Sequence, residues 1–553
     1  MNDVDRLSIV VVGASGDLAR RKIYPALFAL YCQDLLPVDF KIYGFARSAY
    51  SHAAFRERIT EKLTCRYAPG QSCAGRMTEF LSRCFYQPGQ YKEAGSFLDL
   101  YQLMQETGGA EGHPVLFYMA TPPSVFLDVA QAIGNAGLVQ CDPHRPWSRI
   151  VIEKPFGRDR ASSDLLTREL AGVFTESQTY RIDHYLGKEL IQNLMVLRFA
   201  NLIFEPVWNR DFVEQVTISW EEDIGVEGRG GYFDNYGIIR DVIQNHLLQI
   251  LALVAMERPR DLTARSIRNA KVNAVRQIPE VVPADIVIGQ YTAGDSSGKH
   301  MPGYTDDESV PADSSTPTFA AVNLSVKNER WAGVPFVIRA GKGLAGKMTE
   351  IRMRFREVPS NIFCRMGECP EANELIIRVQ PDEAIMFRIV NKEPGLTMKL
   401  SSTQLDLQYE AAYDDNIPDA YESLLLDVMR GEKSLFIRSD ELEAAWDVFT
   451  PALHAIDAGE IRPLPYAFGS CGPESAETLG LTCGAQSTET KRRASMEQTV
   501  CNGDHTGHLC VLVSEKKFDE IKGLVQDPKF ICFNCGRVAD SDKNLCNPMP
   551  LND

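Results

Sequence analysis

The sequence lacks any long uninterrupted apolar run. Its longest, Leu247 to Met256, is broken by Gln249 and falls well short of the ~20 residues that a membrane-spanning helix needs. It also lacks an excess of positive charge. There are 58 Lys and Arg against 74 Asp and Glu, a formal charge of −16. No broad basic surface for nucleic acid or anionic membrane is therefore expected, though a local basic pocket for a small anion is compatible. The first residues, MNDVD, lack the basic lead of a secretory signal, and the last, PLND, form no peroxisomal tripeptide. The 14 cysteines show no framework spacing before Gly472. Free thiols in a reducing, cytoplasmic setting are predicted. No internal repeat is visible.

What is present suits a globular protein of two or more domains: 553 residues, 44% hydrophobic and 24% charged. Residues 8–13 (SIVVVG) form a β-branched run of the kind buried on both faces of a parallel sheet. A helical stretch follows near 20–31, then further buried-strand candidates at 40–46, 115–120 and 149–153. This alternation predicts a doubly wound α/β domain, of the Rossmann type, over 1–185. Beyond Arg210 the pattern changes. Segments 214–221, 350–356, 374–379 and 384–390 alternate or cluster as half-buried antiparallel strands do, with helices near 236–256 and 421–429. An α+β domain on a large antiparallel sheet is predicted over 186–470. Residues 293–318 read as a surface loop, and 471–553 as a tail of different composition.

After the first strand stands the turn Gly13-Ala14-Ser15-Gly16-Asp17-Leu18-Ala19. Glycine permits the tight turn and lets backbone N–H groups reach a pyrophosphate at a helix N-terminus. A bland strand–turn–helix would look similar, and position near the N-terminus favours the dinucleotide reading. At the end of the second strand an acid would bind a ribose 2′-hydroxyl. Arg47 stands there instead. A guanidinium can pair with a 2′-phosphate, so NADP is favoured, although spacing alone fits a solvated surface arginine equally well. Lys154, in the segment EKPFG at 153–157, follows a strand end and could touch both cofactor and substrate, or be a turn lysine.

The densest polar constellation is RIDHYLGKE at 181–189. His184, Tyr185 and Lys188 can all donate hydrogen bonds to a phosphate dianion, and Asp183 could orient a histidine from elsewhere. Asp241, Asn245 and His246 fall on one side of a predicted α-helix and could line a cleft; a core histidine is the bland alternative.

These motifs together decide between the readings. The turn at 13–19, the EKPFG loop, the RIDHYLGKE block and the helix IIRDVIQNH at 238–246 stand in the order found in glucose-6-phosphate dehydrogenases. Over residues 8 to 470 the chain resembles that family. The resemblance implies oxidation of C1 of glucose 6-phosphate with reduction of NADP. His246 would be the general base, oriented by Asp183. His184, Tyr185 and Lys188 would hold the phosphate. Lys154, Glu222, Asp241, Lys342 and Lys347 would contact the sugar. Gly13 to Leu18, Arg47 and Lys154 would hold the cofactor, and no catalytic metal is implied. Homodimers or homotetramers joined through the second domain's sheet are implied as well.

Three departures from the family pattern carry expectations. Lys347 stands where arginine is common, which removes a bidentate contact. Phe126 stands where some members have a tyrosine beside the cofactor. After Ser470 comes Cys471 rather than arginine, Met348 replaces a lysine, and residues 472–553 contain no Tyr or Trp. Arg352 and Arg378 match the rest of a structural NADP site, and that site is predicted to be weak or absent. In the tail, Cys532 and Cys535 form a C-x-x-C pair, with Cys546, Cys510, Cys501, His505 and His508 nearby. Zinc binding is one reading and a loosely packed cysteine-rich segment the favoured one. Residues 491–495 (KRRAS) resemble a basic phosphorylation consensus. Two further readings remain at this stage: another NADP-linked sugar oxidoreductase, and a non-catalytic dinucleotide binder.

Overall fold

The computed structural model describes residues 5–551, apart from 68–70, 111, 140–145, 297, 367–368, 414–416, 480–508, 510–511, 513–516, 533–536 and 546–547. The chain forms two compact units, Met1–Leu481 and Thr482–Asp553.

The first unit contains both sheets expected from the sequence. Strands β1 (Arg6–Val12), β2 (Asp39–Ala46), β3 (Cys84–Pro88), β4 (Val115–Met119), β5 (Ser148–Glu153) and β6 (Thr179–Ile182) pair in parallel. Their order is β6-β5-β4-β1-β2-β3, with helices on both faces. This explains the unbroken apolar runs: β4 is buried at every position.

The second sheet begins with β7 (Val213–Glu221). It continues through β8 (Ile286–Thr292), a small separate hairpin β9 (Gly294–Ser296) and β10 (Lys299–Met301), and β11 (Phe319–Ser325). Then follow β12 (Pro335–Gly341), β13 (Met348–Phe355), β14 (Glu374–Gln380), β15 (Ala384–Lys392) and β16 (Leu400–Gln408). β17 (Phe436–Ile437) crosses back to pair antiparallel with β6, and β18 (Leu464–Ala467) closes the far edge. The nine-stranded order is β16-β15-β14-β13-β7-β12-β11-β8-β18. All its pairings are antiparallel except β7–β12 and β8–β18. The predicted loop 293–318 is thus a loop carrying one short hairpin.

The helix predicted near 236–256 differs in kind. Its first part, Ile239–Leu247, is a π-helix, and only Leu248–Ala255 is α-helical. A helix with i→i+5 bonds turns less per residue than an α-helix, so Asp241 and His246, five apart, come nearer to one face than an α-helix allows. The far end is held by three donors on successive carbonyls. Arg198 Nη1 donates to Leu253 O (2.8 Å), Trp208 Nε1 to Val254 O (2.9 Å) and Trp331 Nε1 to Ala255 O (2.9 Å). These carbonyls have no partner within the helix, so side chains supply one.

The expectation of free thiols fails at five described positions: Cys65 is bonded to Cys73, Cys364 to Cys369, and Cys471 is disulfide-bonded as well. Cys32 and Cys84 are free and buried. The first two bridges span only 8 and 5 residues, so they clasp local loops rather than form a framework that spacing would reveal.

The second unit contains a helix, Phe518–Leu524, and three short antiparallel strands, β19 (Phe530–Cys532), β20 (Val538–Ala539) and β21 (Pro548–Pro550). Leu509, Cys532, Ala539 and Leu545 form its small core. Cys501, His505, His508, Cys510, Cys535, Cys546 and residues 491–495 lie outside the described residues.

Candidate active site

The glycine turn sits where β1 meets its helix. Gly13 has φ +88°, and a side chain there would collide with the Ala120 carbonyl, so glycine is required twice over. Gly13 N and Ala14 N donate to Phe45 O (2.8 and 3.2 Å), and Gly16 N to Gly13 O (2.9 Å). Ser15 Oγ accepts from Ser48 Oγ (3.3 Å), which ties the turn to the end of β2. Arg47 is exposed beside it, its guanidinium 5.4 Å from the Tyr91 ring centre. Asp17 turns back onto Arg20 (2.8 Å), and Leu18 is half-buried. Thr121, just after β4, borders Gly13; its buried hydroxyl has no partner among the described residues. The sequence reading missed Thr121, since nothing but its place after a buried strand marks it.

The second cluster gathers at the carboxyl ends of β5 and β6. Asp183 is 1% exposed. Its Oδ1 accepts from Tyr185 N (3.0 Å) and from His246 Nδ1 (2.5 Å), 63 residues away in sequence. Its Oδ2 has no partner among the described residues. Burial opposes charge on Asp183, but His246, His184 and the Tyr185 N–H outweigh it and bring the carboxyl down to about 2. Burial pulls His246 below its ordinary value, with Asp183 pulling the other way. The imidazole is neutral near pH 7, its Nδ1–H held by Asp183 and its Nε2 left to accept a proton.

Tyr185 and His184 flank this pair. The Tyr185 ring stacks on His246 at 4.5 Å, and its hydroxyl accepts from Trp220 Nε1 (2.6 Å). Burial raises that hydroxyl to about 12, so it stays protonated. Burial likewise holds His184 well below the usual histidine range. Lys188 Nζ donates to Gln380 Oε1 (3.0 Å). Its ammonium is lowered first by burial, with the charges of Lys22 and Lys347 acting in the same direction. Lys347 itself is exposed just ahead of β13. Gln380, at the end of β14, also donates to the Tyr185 hydroxyl (3.3 Å). Sequence reasoning missed Gln380, because one amide at a strand end carries no local signal.

Lys154 Nζ donates to both the side chain (2.9 Å) and the carbonyl of Asp241. Burial opposes ionisation of Asp241, and the Lys154 charge overcomes it. Lys342 Nζ meets Glu222 Oε2 at 2.5 Å and lies close enough to bias Asp241 too. Lys154, Asp241, Lys342 and Glu222 are thus linked to one another, whereas Lys347 is tied only by charge to Lys188. Asn245 is not among them: its amide donates back to Arg240 O (2.8 Å) and accepts from His246 N (2.7 Å), so it braces the π-helix instead of lining the cleft. Asp183, His184 and His246 also bring metal-type ligand atoms within 4.8 Å. The direct Asp183–His246 hydrogen bond already uses the facing nitrogen and oxygen.

Two family descriptions match the chain: "Glucose-6-phosphate dehydrogenase, NAD binding domain" over residues 10–193, and the C-terminal domain of the same family over 195–486. The chain belongs to the glucose-6-phosphate dehydrogenase family. It is 50% identical over 476 residues to glucose-6-phosphate 1-dehydrogenase 1, chloroplastic, of Arabidopsis thaliana, covering 86% of this chain and 82% of that one. It is 46% identical over 483 residues to the glucose-6-phosphate 1-dehydrogenase of Dictyostelium discoideum, covering 86% and 94%. Among solved structures, a glucose-6-phosphate dehydrogenase in complex with glucose 6-phosphate superposes with TM-score 0.79 at 40% identity, covering 86% of this chain and 97% of that one. The glucose-6-phosphate dehydrogenase match ends at residue 486 and so takes in only the first five residues of the second unit, 482–486.

Proposed function

We propose that the protein oxidises glucose 6-phosphate at C1 to the 6-phosphogluconolactone and passes the hydride to NADP, the first oxidative step of the pentose phosphate route. The observation that carries the reading is the buried Asp183–His246 pair beside His184, Tyr185 and Lys188. The neutral His246 Nε2 removes the C1 hydroxyl proton as the C1 hydride leaves. Asp183, ionised throughout, stabilises the imidazolium that forms. His184, Tyr185 and Lys188 hold the phosphate, while Lys154, Glu222, Asp241, Lys342 and Lys347 hold the sugar. Phosphate anchoring far from C1 turns binding energy into orientation of the reacting carbon. The turn at Gly13 to Leu18, with the exposed Arg47 beside it, fits a dinucleotide bearing a 2′-phosphate. Absorbance of NADPH on mixing protein, NADP and glucose 6-phosphate, with glucose and NAD as controls, tests the assignment. A rate equal with unphosphorylated glucose would remove it.

Two finer points belong to the same proposal. The outer edge of the large sheet exposes Leu405 and Leu407, two residues apart on β16 and so on one face. Self-association there, as a homodimer or homotetramer, is read by sedimentation. A second, structural NADP is disfavoured. Arg352 is taken up by Glu350 (2.8 Å) and Glu374 (2.7 Å), and Arg378 lies 3.4 Å from Glu350. Equilibrium dialysis giving two NADP per chain would overturn that.

A further inference from the structure

Glu153 closes β5 and is 8% exposed, one residue before Lys154. Successive strand residues point to opposite sides, and Glu153 shares with Val151 the side packed by the helix Ala420–Arg430. Among the described residues no cation is bonded to it, because the Lys154 ammonium is committed to Asp241. Its partners are phenols. Tyr118 of β4 donates to Glu153 Oε1 at 2.5 Å, and the Tyr421 phenol lies close enough to favour its charged form. The other charged groups that bear on it are Lys154 and Asp183. Burial without an ion partner pushes the carboxyl up to about 7. None of the proton or phosphate chemistry described above uses this group.

Its reach into the site is through Tyr421, at the start of the helix Ala420–Arg430. The Tyr421 ring lies nearly parallel to His184, 6.1 Å between centres and 12° between planes. His184 meets Tyr185 on another side (5.2 Å) and His246 edge-on (4.6 Å). No hydrogen bond to either His184 ring nitrogen is made among the described residues, so packing alone sets the ring's angle. The helix is also pressed close to the turn carrying His184: a side chain at Gly187 would come within 2.6 Å of the Ala420 carbonyl.

We propose that Glu153 is a positioning residue for the phosphate end of the sugar site: bound to the hydroxyl of Tyr118 and set beside the phenol of Tyr421, it holds the Tyr421 ring against His184. The proposal rests on the reading of His184 as a phosphate ligand. An apolar carboxyl substitute would free Tyr421, let the His184 ring turn, and weaken the hold on the phosphate without touching the proton relay. Glutamine keeps an acceptor oxygen in the same place and should substitute for the acid.

Steady-state kinetics on the full chain test this. Glu153→Ala should raise KM for glucose 6-phosphate about tenfold, with kcat and KM for NADP changed by less than about threefold. Glu153→Gln should restore KM to within about twofold of the original. Tyr421→Phe should also raise KM for the sugar phosphate, and the double variant E153A/Y421F should be no worse than E153A, since both remove one link. An unchanged KM in E153A overturns the proposal. So does a uniform fall in all parameters with lowered Tm that glutamine fails to rescue. If E153A does not fold, Y421F decides alone: a raised KM supports the link and an unchanged one removes it. His184→Ala separates the layers: unchanged KM there removes the phosphate reading itself, whereas raised KM in H184A with normal E153A removes only the positioning role.

Discussion

The Tyr185 ring lies against the His246 imidazole, 4.5 Å between centres and 28° between planes. A residue assigned to the phosphate therefore also forms a wall for the base. Sugar-phosphate binding and base orientation meet in this one contact, and they are not expected to separate cleanly when Tyr185 is altered.

Replacing His246 itself gives the sharpest separation. His246→Asn removes the proton acceptor and keeps the volume. Turnover should fall about 10²–10⁴-fold, the usual worth of a positioned base. Glucose 6-phosphate affinity, read by fluorescence or calorimetry, should change little. Undiminished turnover would exclude His246 as the base.

The pH profile follows from the buried pair. The working form of His246 is neutral, and burial places its proton loss below the ordinary 6.5. The acid limb of kcat/KM should therefore have its midpoint below pH 6.5, with a plateau above it. Asp183 opposes that lowering. Asp183→Asn should move the limb further toward acid while reducing the plateau rate. A midpoint that rises in D183N would contradict the arrangement.

The proposed preference for NADP draws on the exposed Arg47 beside the glycine turn. Arg47→Ala should raise KM for NADP by about tenfold and leave KM for NAD within about twofold, since only NADP carries the 2′-phosphate. Equal effects on both cofactors would place Arg47 elsewhere in the site.

Stability can be probed far from the cleft. Trp208→Phe leaves the Val254 carbonyl without its donor inside a buried site. A loss of about 1–3 kcal/mol in unfolding free energy is expected from that unpaired group, together with lost ring area. Denaturant titration measures it, and a change under 0.5 kcal/mol would mean the carbonyl finds another partner.

Most of the fold was legible because burial on both faces writes unbroken apolar runs. The strands at 8–12, 40–46, 115–119 and 149–153 all lie within the observed parallel sheet. The alternating segments became strands of the large sheet for the complementary reason, one wet face each. The kind of helix carrying His246 was not legible. Hydrophobic spacing over nine residues does not distinguish an i→i+4 ladder from an i→i+5 ladder, and the Asn245 side chain that braces the latter looks like any polar helix residue. The short disulfides escaped too, since bridges across 8 and 5 residues depend on loop shape. Site residues in dense blocks, such as 181–189, were visible; isolated ones such as Gln380, Thr121 and Glu153 were not, because a single polar residue at a strand end is common in any sheet.

The donors on the carbonyls of Leu253, Val254 and Ala255 act as pegs at the exit of the rod that carries His246. At 1.5 Å per residue they stand about 12 Å along the axis from the imidazole. A rod pegged at one end can neither slide nor rotate without breaking three hydrogen bonds together. The aim of the proton acceptor is thus set partly by an arginine and two tryptophans that never approach the sugar, and damage to those pegs would register as a defect of chemistry.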